Sequence, residues 1–194
     1  MSTRGVIARP LGDGWEGVYQ HFDSYPGGLG KKLWSLLHGG LGSEYPQNAR
    51  DCHLNVQFAT VDELLAFALD FEHGGWSSFP SCCYHHWRPE EDEPLTELIQ
   101  APCCGGGDGM GCTEETCDPL MLEWVYILSG QTMTVLGHYS IPDETVSYRS
   151  RYAHRVVAQV DLAGAEPDWQ LMQDEHSAAR EGMTLEEYRV AYAR

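Results

Sequence analysis

Positive charge is scarce in this chain. Its 194 residues carry 12 Lys and Arg against 29 Asp and Glu, a formal net charge of −17, and the only two lysines are the adjacent pair Lys31 and Lys32. Nucleic-acid binding needs cations to displace the counterions around phosphate, and anionic lipids repel the same acidic surface. Nucleic acid and membrane are therefore disfavoured as partners. Long hydrophobic runs are missing too, since no stretch approaches the roughly 18 apolar residues of a membrane span. The opening residues MSTRGVIARPLGDG contain no apolar segment of a secretory signal, so the expected location is cytoplasmic.

Apolar material is nevertheless ample. Hydrophobic residues make up 42% of the chain and aromatic residues 11%, enough to bury a core and to argue against wholesale disorder. The length suits one domain spanning residues 1–194 with a lobed insertion.

Local patterns place the elements. GVIARPL (5–11) and WEGVYQHF (15–22) flank Gly12-Asp13-Gly14 and predict a β-hairpin. KKLWSLLH has helical spacing and stops at Gly39-Gly40. Thr60 and Glu63 form a capping box opening LLAFALDF, and Thr184 with Glu187 form another before YRVAYAR. WQLMQDEHSAAR follows Pro167-Asp168 and also reads as helix. MLEWVYILSGQTMTVLGHYSI predicts a second hairpin about Ser129-Gly130-Gln131, and VSYRSRY and HRVVAQVDL add one or two strands. The fold class expected is α+β: an antiparallel sheet of hairpins with flanking helices and an inserted cysteine-rich lobe at residues 77–119.

That lobe holds six of the seven cysteines, with three consecutive glycines and an acidic run at Glu90–Glu93. It is too poor in apolar residues to build its own core and needs a cross-link to be ordered. Without an export signal the thiols are expected to be reduced, which favours metal over disulfides. Cys82 to His85 and Cys83 to His86 are both C-x2-H spacings, and Cys112 to Cys117 is C-x4-C. Zinc takes four thiolate or imidazole ligands, usually in pairs from two short turns. The candidates Cys82, Cys83, His85, His86, Cys103, Cys104, Cys112 and Cys117 exceed four. The favoured set is Cys103 or Cys104, Cys112 and Cys117 with one ligand from the earlier block, holding a structural zinc. The same cysteines could instead serve as small hydrophobes. A zinc deaminase is excluded, because Pro102-Cys103-Cys104 lacks the two-residue gap and no H-x-E triplet occurs.

A second cluster precedes the first helix. Tyr19, His21 and Asp23 alternate at period two, and lead through Tyr25-Pro26-Gly27-Gly28-Leu29-Gly30 to Lys31. Glycines before a helix N-terminus and a lysine suit an oxyanion, so Tyr19, Tyr25, Gly27, Gly28, Gly30 and Lys31 are candidate ligand-binding residues. His21 and Asp23 are the candidate acid–base pair, although the same string can also be a purely structural corner. It is not a P-loop, since Lys32 stands where Ser or Thr is required. The string Y-x-H-F-D-S-Y-P, Tyr19 to Pro26, resembles a Y-x-H-[WF]-D-[GS]-Y-P signature near the start of small uncharacterised proteins of bacteriophages and actinobacteria. The resemblance covers about residues 4–40 and implies a phage-related, cytoplasmic accessory role without a defined activity.

Three further features bear on partners. Arg149, Arg151 and Arg155 with Tyr148 and Tyr152 form a short cationic strip, which more often pairs with the protein's own carboxylates than with an external anion. Residues Glu90 to Glu123 contain ten Asp or Glu and no Lys or Arg, a surface able to imitate a phosphate array. Cys52 and His53 are neighbours and would face opposite ways on a strand, so Cys52 is read as a buried thiol. The function expected is a small acidic, zinc-stabilised accessory protein that binds a partner protein, of the phage-type host-takeover or anti-defence class, rather than an enzyme. The alternative is a protein binding or acting on a nucleotide or phosphorylated metabolite at Tyr19–Lys31.

Overall fold

The structure, a computed structural model, describes residues 3–20, 23–38, 58–69, 111–115, 122–141 and 152–192. Along them run β1 (Gly5–Leu11), β2 (Gly14–Gln20), α1 (Lys31–His38), α2 (Val61–Ala68), β3 (Gly111–Thr113), β4 (Trp124–Ser129), β5 (Thr132–Ser140), β6 (Tyr152–Asp161), α3 (Trp169–Glu181) and α4 (Leu185–Tyr192). The class is α+β.

Both expected hairpins form. Gly12 and Gly130 each lead a two-residue loop, with φ of +58° and +57°, a region glycine enters without steric penalty. β1 pairs antiparallel with β2, and β4 with β5. The sheet is mixed, however, which corrects the expectation of an antiparallel one. Its order is β3-β2-β1-β4-β5-β6, and at its centre β1 and β4 run parallel, Gly5 opposite Trp124 through Ala8 opposite Ile127. The connection between the hairpins is long enough, and carries enough helix, to return β4 in the direction of β1.

Parallel strands are normally covered on both faces. Val6, Ile7, Ala8, Val125 and Tyr126 are accordingly all fully buried. On one face Ile7, Tyr126, Leu128, Met133 and Val135 pack under α1, α2 and α3 through Leu33, Leu36, Leu64 and Trp169. On the other, Val6, Ala8, Val125, Trp15 and Leu122 form a second cluster to which no described helix contributes.

Capping fixes the helix ends where the sequence placed them. The Glu63 N–H donates to Thr60 Oγ1 at 3.2 Å and the Ala59 N–H to Glu63 Oε2 at 2.9 Å. In α4 the Glu187 N–H donates to Thr184 Oγ1 at 3.2 Å, and Glu187 Oε2 accepts the Thr184 N–H at 2.8 Å. Asp168 accepts the Leu171 N–H at 2.9 Å to start α3, and Gly182, at φ +68°, ends it. The strand expected over residues 15–22 is described as far as Gln20, and His21 and Phe22 lie outside the described residues. Of the cysteine-rich lobe, β3 adds to β2 with Cys112 opposite Gly17, while Cys82, Cys83, His85, His86, Cys103, Cys104 and Cys117 lie outside the described residues, as do Cys52, His53, Arg149 and Arg151.

Candidate functional site

The glycine-rich segment is a corner built on backbone contacts. Asp23 follows the end of β2 in the left-handed region, φ +51°, so it does not continue the alternating face that begins at Tyr19. Short polar side chains tolerate that conformation better than most. The Asp23 carbonyl accepts the Leu29 N–H at 2.9 Å, and the Tyr25 carbonyl accepts the Gly28 N–H, also at 2.9 Å. A Cβ at Gly28 would overlap the Asp23 carbonyl oxygen, and one at Gly30 would press on Tyr126 and Trp169 at 3.1 Å. Pro26–Gly30 form a π-helical turn that runs directly into α1. The Gly28 and Leu29 amides are thus occupied within the turn.

Buried hydrogen bonds anchor this corner to the sheet. Tyr126 is fully buried and its hydroxyl donates to the Ser24 carbonyl at 2.7 Å. Ser24 Oγ donates to the Gln20 carbonyl at 3.2 Å, and the Ser24 N–H donates to Thr3 Oγ1 at 3.1 Å. Burial pushes the Tyr126 phenol well above its usual range, which keeps it a donor. Around this anchor, Tyr19 and Tyr25 are half-buried and pack against the second and first hydrophobic clusters respectively, while Lys31 is exposed at the start of α1.

Histidines and arginines stand on both faces of the β4–β5–β6 end of the sheet, with His176 of α3 on the face of Gly137 and Arg155 and with His138 and His154 on the other. His138 on β5 and His154 on β6 are directly opposite in register, as are Gly137 and Arg155. The absence of a side chain at Gly137 lets the His176 ring of α3 lie against the strand, where a Cβ would meet Cε1, Nε2 and Nδ1 within 3 Å. His176 also meets Trp124 edge-on, with ring centroids 4.6 Å apart, and His138 meets Tyr152 edge-on at 5.8 Å. The Arg155 guanidinium lies over the Tyr139 ring, 5.2 Å from its centroid. Arg180 is one helical turn beyond His176 and so shares its helix face.

Electrostatics at this end of the sheet are unusual for so acidic a chain. His138 and His176 are 6% and 4% exposed, and the Nδ1 of each is buried with no hydrogen-bond partner among the described residues. Burial lowers both imidazoles to about 4, and the Arg180 charge adds to the effect on each. Burial also lowers His154, although its Nε2 donates to the Leu122 carbonyl at 2.9 Å. Glu123 is raised chiefly by burial, against the pull of Arg180 and Arg4. Burial is the larger cause for both the His138 and His176 rings, and it favours the neutral imidazole at each.

Of these residues Arg155 and Tyr152 were singled out from the sequence; His138, His154, His176 and Arg180 are far apart along the chain and carry no spacing motif. The available signal was compositional, namely histidines inside otherwise apolar strand and helix patterns. Among the described residues no group of three or more His, Cys, Asp or Glu is placed to hold a metal. No protein-family model, curated protein or solved structure matches the chain.

Proposed function

We propose that this protein is a noncatalytic acidic binding protein that docks a basic surface of a partner protein through α3 and α4. The observation that carries the reading is the state of α4. None of its residues is buried, and Val190 is 78% and Tyr192 52% exposed, with Met183 at 38% just before it. Lone exposed apolar residues are ordinary, but here they sit on one short helix among acids. From Glu166 to Tyr192 there are seven Asp or Glu against Arg180 and Arg189, and Arg189 is tied to Asp174 at 3.2 Å. An apolar patch rimmed by uncompensated negative charge fits a cationic partner, whose approach it would accelerate.

A photo-crosslinking residue placed at Val190 captures the partner in cells, with Ala163, an exposed position elsewhere, as control. The captured protein is then purified and titrated. Val190→Ser with Tyr192→Ser should weaken binding at least tenfold, and raising salt from 50 to 300 mM should weaken it further. Insensitivity to both treatments, or equal capture from Ala163, overturns the reading.

The cysteine-rich lobe enters this proposal as a zinc-stabilised element held by four of Cys82, Cys83, His85, His86, Cys103, Cys104, Cys112 and Cys117. Near-stoichiometric zinc in natively purified protein supports it and metal-free protein refutes it. A cytoplasmic, phage-type host-takeover or anti-defence role belongs to the same reading; among the described residues no helix is long and apolar enough to cross a membrane. The alternative phosphometabolite site at Tyr19–Lys31 would rely on Lys31 and side chains, because the Gly28 and Leu29 amides are engaged.

A further inference from the structure

We infer that the second face of the sheet is covered by the chain's own residues 116–121, which cross it diagonally as a nearly extended segment between β3 and β4. No described helix lies over that face, yet Val6, Ala8 and Val125 are fully buried and Trp15 and Leu122 are each 3% exposed. Some layer must therefore rest on it.

Strand register defines the face. Val6 is opposite Tyr19 and Val125, Ala8 is opposite Gly17 and Ile127, Pro10 is opposite Trp15, and Gly17 is in turn opposite Cys112 of β3. Directly opposed residues share a face, so all of these stand on the side away from α1, α2 and α3.

The two ends of the segment fix its route. The Glu114 N–H donates to the Trp15 carbonyl at 3.1 Å, which sets that end at the β3 edge, level with Pro10. The Glu123 N–H donates to the Arg4 carbonyl at 2.9 Å, which sets the other end beside the start of β1. From Pro10 to Arg4 is six residues along a strand, about 20 Å, and from β3 past β2 and β1 to β4 is three strand spacings, about 14 Å. The straight line is therefore about 25 Å long, whereas the nine residue steps from Glu114 to Glu123 reach at most about 30–32 Å. A path around the edge and end of the sheet would need about 34 Å, more than the chain can span. The segment must cross a face. Helices occupy the first face, and Leu122, where the described chain resumes, belongs to the second cluster.

The residues along that line suit a crossing chain. It passes over Gly17 on β2, which has no side chain to obstruct it, and then over Val6 on β1. Even spacing sets Cys117 above Gly17 and Leu120 above Val6, so an apolar side chain arrives where apolar strands need cover. The same crossing brings both cysteines of the C-x4-C pair to one side of the sheet, whether or not a metal joins them. The inference depends neither on the zinc proposal nor on the α4 surface.

The test puts photoreactive p-benzoylphenylalanine in place of Tyr19, which is half-buried beside the line, and maps the cross-links of the full chain by peptide mass spectrometry. Most intramolecular cross-links should fall in peptides spanning residues 116–121. A map without that segment overturns the inference, as does a cross-linked dimer or a preference for residues 39–57, 70–110 or 142–151. Reach is tested separately by hydrogen exchange of the β2–β3 amides. Gly-Gly inserted between Cys117 and Asp118 should leave their exchange within twofold of wild type. Deleting Cys117 and Asp118 cuts the reach to about 23–25 Å and should accelerate it at least tenfold. Unchanged exchange in the deletion variant refutes a nearly extended crossing; should that variant fail to fold, the Tyr19 cross-link map decides alone.

Discussion

Acidification from pH 7.5 to 5.0 should destabilise this protein through two rings. His138 and His176 have folded-state values of about 4, whereas an unfolded imidazole titrates near 6.5. Above pH 6.5 both states are neutral and the rings contribute nothing to the pH dependence. Below it the unfolded chain takes up protons that the native state does not, so stability falls by up to about 1.4 kcal/mol per pH unit for each ring, until the folded value near 4 is passed. At pH 5.0 the loss is about 2 kcal/mol per ring and about 4 for the pair, a large share of the roughly 5–15 kcal/mol typical of a domain. His154, also lowered, acts in the same direction. Glu123 acts oppositely, because its raised value makes the native state the better proton acceptor as pH falls. The measurement is urea unfolding at pH 7.5, 6.5, 5.5 and 5.0 for the wild type, His138→Gln, His176→Gln and the double variant. Each single variant should remove about half of the pair's slope, whatever it does to stability at pH 7.5. A wild-type loss below 1 kcal/mol, or an undiminished slope in the double variant, refutes the assignment of buried neutral imidazoles.

Two other perturbations test the corner beneath α1. Tyr126→Phe leaves the buried Ser24 carbonyl without its 2.7 Å donor and should cost about 1–2 kcal/mol, read as a lower urea midpoint with an unchanged m-value. Gly28→Ala forces a methyl group onto the Asp23 carbonyl and should cost about 2–3 kcal/mol, with amide exchange accelerated at Leu29; no change in either would mean that the turn relaxes freely.

The helices and hairpins were legible because their determinants are local. Thr60 with Glu63 and Thr184 with Glu187 carry their capping partners within three residues, and Gly12 and Gly130 supply the positive φ their loops require. The parallel pairing was less visible, although GVIA and WVYIL are continuous apolar runs rather than alternating ones, the pattern expected of strands covered on both faces. The Tyr19–Lys31 string drew attention as a ligand loop because its residue types suit an anion. Its carbonyl and amide partners depend on the left-handed Asp23, which residue types alone did not fix.

The order of residues by itself determined the acidic charge, the element types, their caps and their turns, since each arises from interactions spanning a few positions. Only the tertiary structure decided that β4 lies parallel to β1, that Tyr126 secures Ser24 across 102 positions, and that His176 of α3 covers Gly137 while His138 and His154 share the opposite face of the sheet. Those outcomes require closing long loops, and such contacts are set by which buried faces pack best together rather than by any short-range preference.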